Sequence, residues 1–478
     1  MNEKTSFYLL TDSHYVSPKI WVEGDPMTHR ERGDQIALKA TPQILDAFFE
    51  KILADHETDT VVFLGDNVNN GDMQSHEDFR SSLHRLITAG KKVYLVCATH
   101  DYCGAGDDEN FFMSCRYTET GSEPIPFMRK HELFDYYYEF GPKQALSVHK
   151  ESGSYTVQLG PGVRLIMISD NGNGRSFCGL FEDGVQWLKT QIAEAKNTGN
   201  LILLAVHHPV LPPWEVFRHM ADFELYGGYR ELWKLMCDTD VRVVFTGHTH
   251  VQNIRKYTDE NGRWFCDVST IALANAAGKM RKITVDPQTG TCEIRSVGID
   301  KIQGLDTAGK SVYSYLYALN FPGILEQLIP LCLQDYHAFL ALADGFLPVD
   351  QLKKFKLPVK AACKKLTRMK ISSIAKFGKV WRTLSPQQRV QAKSELALDL
   401  VFEMLRHIYT GNAPFPPETL ENRIITAAAI RLDVFVKKFH IKKVQDLIPP
   451  GSSLSEMVQD FLYNNRTGDD DSICLQLI

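Results

Sequence analysis

"VVFTGHTH", Val243 to His250, runs a short β-branched apolar segment straight into two histidines separated by one residue. Such a run predicts a buried strand, and the imidazoles that follow are polar, titratable groups at the lip of a hydrophobic layer. The same junction occurs four more times. FYLL leads into Thr11, Asp12, Ser13 and His14; TVVFL into Gly65, Asp66 and Asn67; KVYLVCA into Thr99, His100 and Asp101; LILLAV into His207, His208 and Pro209. Every one of these strands ends in Asp, His or both. In open α/β sheets the carboxyl ends of strands share one edge, where ligands bind, so five tips far apart in sequence are expected to meet in one site.

The chain has 478 residues, 44% hydrophobic and 23% charged, which places it among globular proteins and favours at least two domains. A net charge of -5 gives no overall basic field, so nucleic acid is not an expected partner. The start, MNEKTSFYLLTDSH, lacks a secretory pattern, and no apolar run is long enough to span a bilayer. Ten scattered cysteines without a C-x-x-C pair fit reduced thiols. A soluble cytoplasmic protein is therefore expected.

Residues 1–300 alternate apolar runs with amphipathic segments, the β-α pattern of a sheet covered by helices. Thr41 and Pro42 read as N-cap and first helical residue ahead of Ile44, Leu45, Phe48, Phe49, Ile52 and Leu53. Ser75 to Asp78 resembles a capping box, with Gly90 at the helix stop. From 301 to 466 helical signals dominate, in ILEQLIPLCLQDYHAFLALA, PQQRVQAKSELALDLVFEMLRHIY and ENRIITAAAIRLDVFVKKF, and predict a separate all-α domain. Residues 467–478 read as a flexible tail.

Carboxylates and neutral imidazoles without cysteine suit zinc, iron or manganese. On an extended backbone both side chains of a D-x-H or H-x-H pair project to one face and can grip one ion. Asp66 follows a glycine that allows close backbone approach, which makes it a natural bridge between two ions.

The ordered set TDSH, LGDNVNNGD, ATHD, AVHHP and TGHTH resembles the calcineurin-like metallophosphoesterase superfamily over roughly the first 300 residues. GDNVNNGDMQSHEDF, HELFDYYYEFGPKQAL and SGSYTVQLGPGVRLIMISDN, with the helical C-terminal domain, look most like its bacterial cyclic-nucleotide-phosphodiesterase-like branch. The resemblance implies a four-layer α/β/β/α sandwich with two divalent or trivalent transition-metal ions. By position it implies Asp12, His14 and His250 on the first metal, Asp66 as bridge, and His207 and His248 on the second. It puts His100 beside the scissile phosphate, with Asp101 as its orienting partner. His208 falls in the surrounding shell or against substrate. One position departs: Thr99 stands where the family has a metal-binding asparagine, and a threonine hydroxyl is a shorter, poorer donor. Asn67, Asn69 or Asn70 could reach in instead. Thr99, Asn70 and His208 are the substrate-side candidates.

The chemistry implied is phosphoester hydrolysis, in which two cations neutralise the phosphoryl oxygens and acidify a water, and His100 donates a proton to the leaving oxygen or stabilises charge on the phosphoryl group. The expected substrate is a small phosphoester, a cyclic nucleotide or similar phosphodiester. Alternatives are a phosphomonoesterase, or a non-catalytic binding protein on a degenerate fold, with the helical domain a candidate for oligomer or partner contacts.

Two further segments stand out. Tyr102 to Tyr138 is rich in aromatics and glycine and could stack a base, and Arg175 could meet a phosphate. Lys353 to Arg382 contains no acidic residue. Within it Val359, Ala362, Cys363 and Leu366 form an apolar stripe opposite Lys360, Lys364 and Arg368, a face open to anionic lipid, nucleic acid, an acidic partner or plain solvent.

Overall fold

Phe7 and Leu9 point from the first strand into one hydrophobic layer and Tyr8 and Leu10 leave it on the other side, yet all four are buried. A strand covered on both faces needs a sheet or helices on each. The computed structural model describes residues 4–103, 113–276, 278–344, 347–407, 409, 415–438, 448–463 and 469–478. It divides into two compact units: Met1–Pro213 with Asp222–Leu316 and Arg466–Ile478, and Trp214–Ala221 with Tyr317–Asn465. The boundary expected at 300 therefore falls after Leu316.

In the first unit the strands are β1 (Thr5–Leu10), β2 (Thr60–Leu64), β3 (Lys92–Val96), β4 (Cys115–Tyr117), β5 (Ser122–Pro124), β6 (Ser147–His149), β7 (Ser154–Gly160), β8 (Val163–Ile168), β9 (Leu201–Val206), β10 (Val243–Thr246), β11 (Asn253–Thr258), β12 (Trp264–Ser269), β13 (Lys279–Asp286), β14 (Thr291–Gly298) and β15 (Ser472–Gln476). One sheet has the order β15-β14-β13-β1-β2-β3 and the other β11-β12-β10-β9-β8-β7-β6. Their inner faces meet in one core, where Phe7 and Phe245 pack edge to face at 5.8 Å. Outside the first sheet, Phe49 and Phe79 on helices Thr41–Ala54 and Met73–Thr88 pack on Phe63. Outside the second, Leu188 and Ile192 of Glu182–Asn197 and Leu232 and Met236 of Tyr229–Thr239 join Ile166, Leu204 and Val244. This is the four-layer α/β/β/α sandwich, with β1, β2 and β3 parallel in one sheet and β8, β9 and β10 parallel in the other.

Three local expectations are corrected. Thr41 is the first helical residue, not the cap; its hydroxyl accepts from the Val16 N–H and donates to the Leu38 carbonyl. The cap of the next helix is Asp72, whose carboxylate accepts from the Ser75 N–H at 2.7 Å, while the Ser75 hydroxyl accepts from the Ser17 N–H. The tail expected over 467–478 contains β15, antiparallel to β14, with Leu475 and Leu477 in the core between the sheets. Alternating Ile473, Leu475 and Leu477 carry the strand period there, and a short polar run ahead of them hides it.

The second unit is helical. ILEQLIPLCLQDYHAFLALA is broken at Asp335 into Phe321–Gln334 and Tyr336–Ala343, because the Asp335 carboxylate caps the second helix through His337 and Ala338. Helices Lys356–Leu366, Ile371–Phe377, Pro386–Ser394, Ala397–Arg406, Leu420–Lys438 and Leu454–Leu462 follow. Trp214 belongs to this unit, stacked on Phe461 at 5.4 Å with its indole N–H on the Asp460 carbonyl. Among the described residues no single helix is long and apolar enough to cross a membrane.

Candidate metal centre

Five of the six residues expected to bind metal have left-handed backbones: Asp12 (φ 50°), His14 (φ 41°), Asp66 (φ 48°), His248 (φ 66°) and His250 (φ 56°). Non-glycine residues seldom adopt this conformation, and it collects at functional sites held by the surrounding fold. The convergence expected from an extended backbone is thus reached differently. Each strand stops and the chain turns sharply, which aims the side chains into a common space.

Backbone bonds sew the tips together. Asp12 N–H donates to the Gly65 carbonyl at 3.1 Å, His14 N–H to the Asp66 carbonyl at 2.9 Å, and Gly247 N–H to the His207 carbonyl at 2.9 Å. Two glycines allow this proximity. A Cβ on Gly65 would lie 2.6 Å from the Ala98 Cβ and 2.9 Å from His207 Nδ1; one on Gly247 would lie 2.1 Å from Thr11 Oγ1 and 2.5 Å from Asp12 Oδ2.

Two groups result, Asp12 with His14 and His250, and Asp66 with His207 and His248; within each, the ligand atoms lie within 4.8 Å of one another, close enough to hold one metal ion. Asp12 Oδ2 accepts from the His248 N–H at 3.0 Å and from Thr11 Oγ1 at 2.7 Å. Its buried Oδ1 makes no hydrogen bond of good geometry and instead faces Nε2 of His250, His14 and His207 at 3.4, 3.8 and 3.8 Å. Asp66 Oδ1 accepts from the His100 N–H at 2.8 Å, and Oδ2 stands 3.1 Å from His207 Nε2. His14 and His250 bring their Nε2 atoms to 3.1 Å, the approach expected of two imidazoles aimed at one cation. The donor set fits two metal ions.

Charge distribution supports this fit. Burial alone would raise the Asp12 and Asp66 carboxyls, but His207 and the neighbouring histidines hold both below the carboxylate range. Burial disfavours a charged His207, yet Asp66 and Asp12 push it up to about 10. Burial lowers His14, and lowers His100 well below the usual range.

The remaining expected residues sort by contact. His100 lies at the site, its ring edge-on to His14 with centroids 4.6 Å apart. The Asp101 carboxylate accepts from the N–H groups of Asn67, Val68 and Ala98 and from Asn67 Nδ2, at 2.8 to 3.0 Å, and so fixes the Asp66 loop. Burial first, with the Asp66 charge, pushes it up to about 7. Thr99 is buried in the 3-10 turn Thr99–Asp101. Asn70 Oδ1 accepts from Arg30 Nη2 at 3.1 Å. His208 is 1% exposed and packs against His248, the two rings tilted with centroids 4.1 Å apart.

Two residues were not singled out from sequence. Asp170, just beyond β8, accepts from both the N–H and Nδ1 of His208, at 2.9 and 3.0 Å. It is a sixth strand tip and the fourth with an acid, within the polar run SDNGNG. Arg30 pairs with Asp34 at 2.7 Å and carries its charge close enough to disfavour protonation of His100. No sequence signal marks it. In the aromatic segment, Tyr102 and Tyr137 are buried, and the Tyr137 hydroxyl bonds His76 Nδ1 at 2.7 Å, so these rings pack the interior; residues 104–112 and the Arg175 side chain lie outside the described structure.

A four-layer sandwich with acids and imidazoles gathered at one strand edge defines the metallophosphoesterase class. Residues 6–252, about half of the chain, match the calcineurin-like phosphoesterase family, and the chain belongs to it. A protein of Synechococcus sp. (strain WH7803) described as a probable cyclic nucleotide phosphodiesterase is 34% identical over 100 residues, 19% of this chain. The matched stretch spans 36% of that relative's length. Among solved structures, a dimetal phosphatase from Danio rerio is similar with a TM-score of 0.41 and 11% identity over 62% of this chain and 96% of its own. A purple acid phosphatase from yellow lupin seeds gives 0.40 and 14% over 64% of this chain and 53% of its own.

Proposed function

We propose that the protein hydrolyses phosphodiesters at a dinuclear centre of manganese, iron or zinc, with cyclic nucleotides or similar small diesters as the substrate class. The observation that carries this reading is the pair of Asp-His-His groups, Asp12 with His14 and His250 and Asp66 with His207 and His248. The bound ions would neutralise phosphoryl oxygens and supply a nucleophile at neutral pH. The chain's own residues do the rest. Asp12, His14 and His250 hold one ion, and Asp66, His207 and His248 the other. Asp170 fixes the ring of His208, against which His248 packs, and Asp101 fixes the loop that carries Asp66. His100, which feels the charge of Arg30, would help receive the anionic ester. The preference for diesters draws its support from the name of the Synechococcus relative.

A second reading, a binding protein with an impaired centre, rests on Thr99 in the place of a stronger ligand. Metal-loaded protein assayed on bis(p-nitrophenyl) phosphate and on p-nitrophenyl phosphate separates the readings. Faster turnover of the diester supports the proposal, faster monoester turnover makes the protein a phosphomonoesterase, and inertness with two metals bound favours the binding protein.

A further inference from the structure

The helix Lys356–Leu366 keeps none of its side chains fully buried. Val359 and Cys363 pack on the neighbouring cluster of Leu328, Cys332, Tyr336 and Phe339. Ala362 and Leu366, expected in the same stripe, are exposed instead. With Phe355 and Pro358 they follow i, i+3, i+7, i+11 spacing and form a second apolar row, one that faces solvent. Leu357 is 78% exposed, Phe355 57% and Leu366 41%. Three large apolar side chains on so short a segment are more than scattered surface residues explain.

The charges beside this row have one sign. Lys353 to Arg382 holds eleven lysines and arginines and no acid. Because the whole chain carries -5 and this stretch +11, the rest of the chain carries -16. Among the described residues only Lys353 of these cations forms an ion pair, with Asp350 at 3.7 Å. Lys365 stands exposed beside the apolar row, while Lys364 and Arg368 share the other exposed flank of the helix with Leu357.

We propose that this face docks on a membrane surface rich in anionic phospholipid. A bilayer offers both parts of what the face presents: headgroup charge for the cations, and an acyl boundary for Phe355, Leu357 and Leu366. A nucleic acid would satisfy the cations and leave Leu357 and Leu366 in water. The helix lies in the interface, and lysine stems reach past the apolar row to the phosphates.

The test uses the full chain in co-sedimentation with vesicles. One set is phosphatidylcholine alone, the other phosphatidylcholine and phosphatidylglycerol in equal parts. Binding only to the second set, reversed by high salt, is expected. Combined K364Q, K365Q and R368Q weakens it about fivefold per cation, roughly a hundredfold together. Combined F355S and L357S, with all charges kept, weakens it at least about tenfold. All five residues are exposed, so each variant keeps the parent's thermal midpoint. Equal binding to both vesicle sets, binding to neither, a duplex oligonucleotide bound more tightly than the anionic vesicles, or F355S and L357S without effect each overturn the proposal.

Discussion

His207 Nε2 faces Asp66 Oδ2 across 3.1 Å, while His207 Nδ1 stands 2.7 Å from the Leu64 carbonyl oxygen, to which it can only donate. With the proton fixed on Nδ1, Nε2 presents either a lone pair or a second proton to the carboxylate. Two lone pairs would repel, so the position calls for a cation, proton or metal.

In metal-free protein that cation is the proton, with His207 pushed up to about 10 from an ordinary value of 6.5. A group whose folded value lies above its unfolded one stabilises fully below the unfolded value and stops doing so as pH climbs through the folded one. The thermal midpoint of metal-free protein is expected to fall between about pH 6.5 and 10. Asp12 and Asp66 have the opposite sign, with values held low, and cost stability only in acid below the ordinary carboxylate range. Saturating manganese should flatten the alkaline decline, and calorimetry in buffers of different ionisation enthalpy should find protons released on metal uptake at pH 7. An unchanged alkaline profile with metal would show that the ion binds elsewhere.

Asp66→Asn keeps the bond from the His100 N–H, because an amide oxygen can still accept it, but removes the charge that acts on His207 and His14. The expected result is a loss of bound metal and a fall in turnover of at least about a hundredfold, beyond what loss of an outer hydrogen-bond partner costs. Metal analysis of the purified variant beside its diester rate checks both.

Burial holds His100 well below the usual histidine range, and His14, Arg30 and His250 add to this. A ring already neutral at pH 7 has no imidazolium proton to deliver, so general acid chemistry is disfavoured and hydrogen bonding to a phosphoryl oxygen is favoured. His100→Ala is therefore expected to slow alkyl and nitrophenyl diesters alike, by about a hundredfold or more. A markedly larger loss on the alkyl ester would restore the proton-donor role.

The acids and histidines of five tips were legible because each follows a short apolar run, and parallel strands bring such exits to one edge. What sequence could not carry was direction. Whether Asp101 serves His100 or the Asp66 loop depends on a turn in which both follow Val96 within five residues. Arg30 sits in a helix with no apolar period, and β15 needs its partner strand to be recognised. Asp170 was missed because a glycine- and asparagine-rich loop follows it and reads as a turn.

Both the N–H and the ring Nδ1 of His208, the residue next to His207, end on Asp170 Oδ2. Asp170→Asn leaves an acceptor but lets the His208 ring change tautomer and tilt beneath His248. Turnover should fall about 10–100-fold, with metal affinity at the second group weakened more than at the first. Equal weakening at both groups would point to a general loosening of the site.

The last strand tests the fold itself. Arg281 is fully buried, and its guanidinium donates to the carbonyls of Asp470 and Ser269 and to Ser296 Oγ, so the chain end is tied to β13 by side chain as well as through β14. Removing residues 469–478 uncovers the edge of β14, takes Leu475 and Leu477 from the core and leaves Arg281 short of an acceptor. The two leucines alone are worth about 3–6 kcal/mol. Urea unfolding of the truncated protein should show at least that loss, together with aggregation through the bared strand edge. Stability equal to that of the full chain would mean that β15 is dispensable and that the tail is held only loosely.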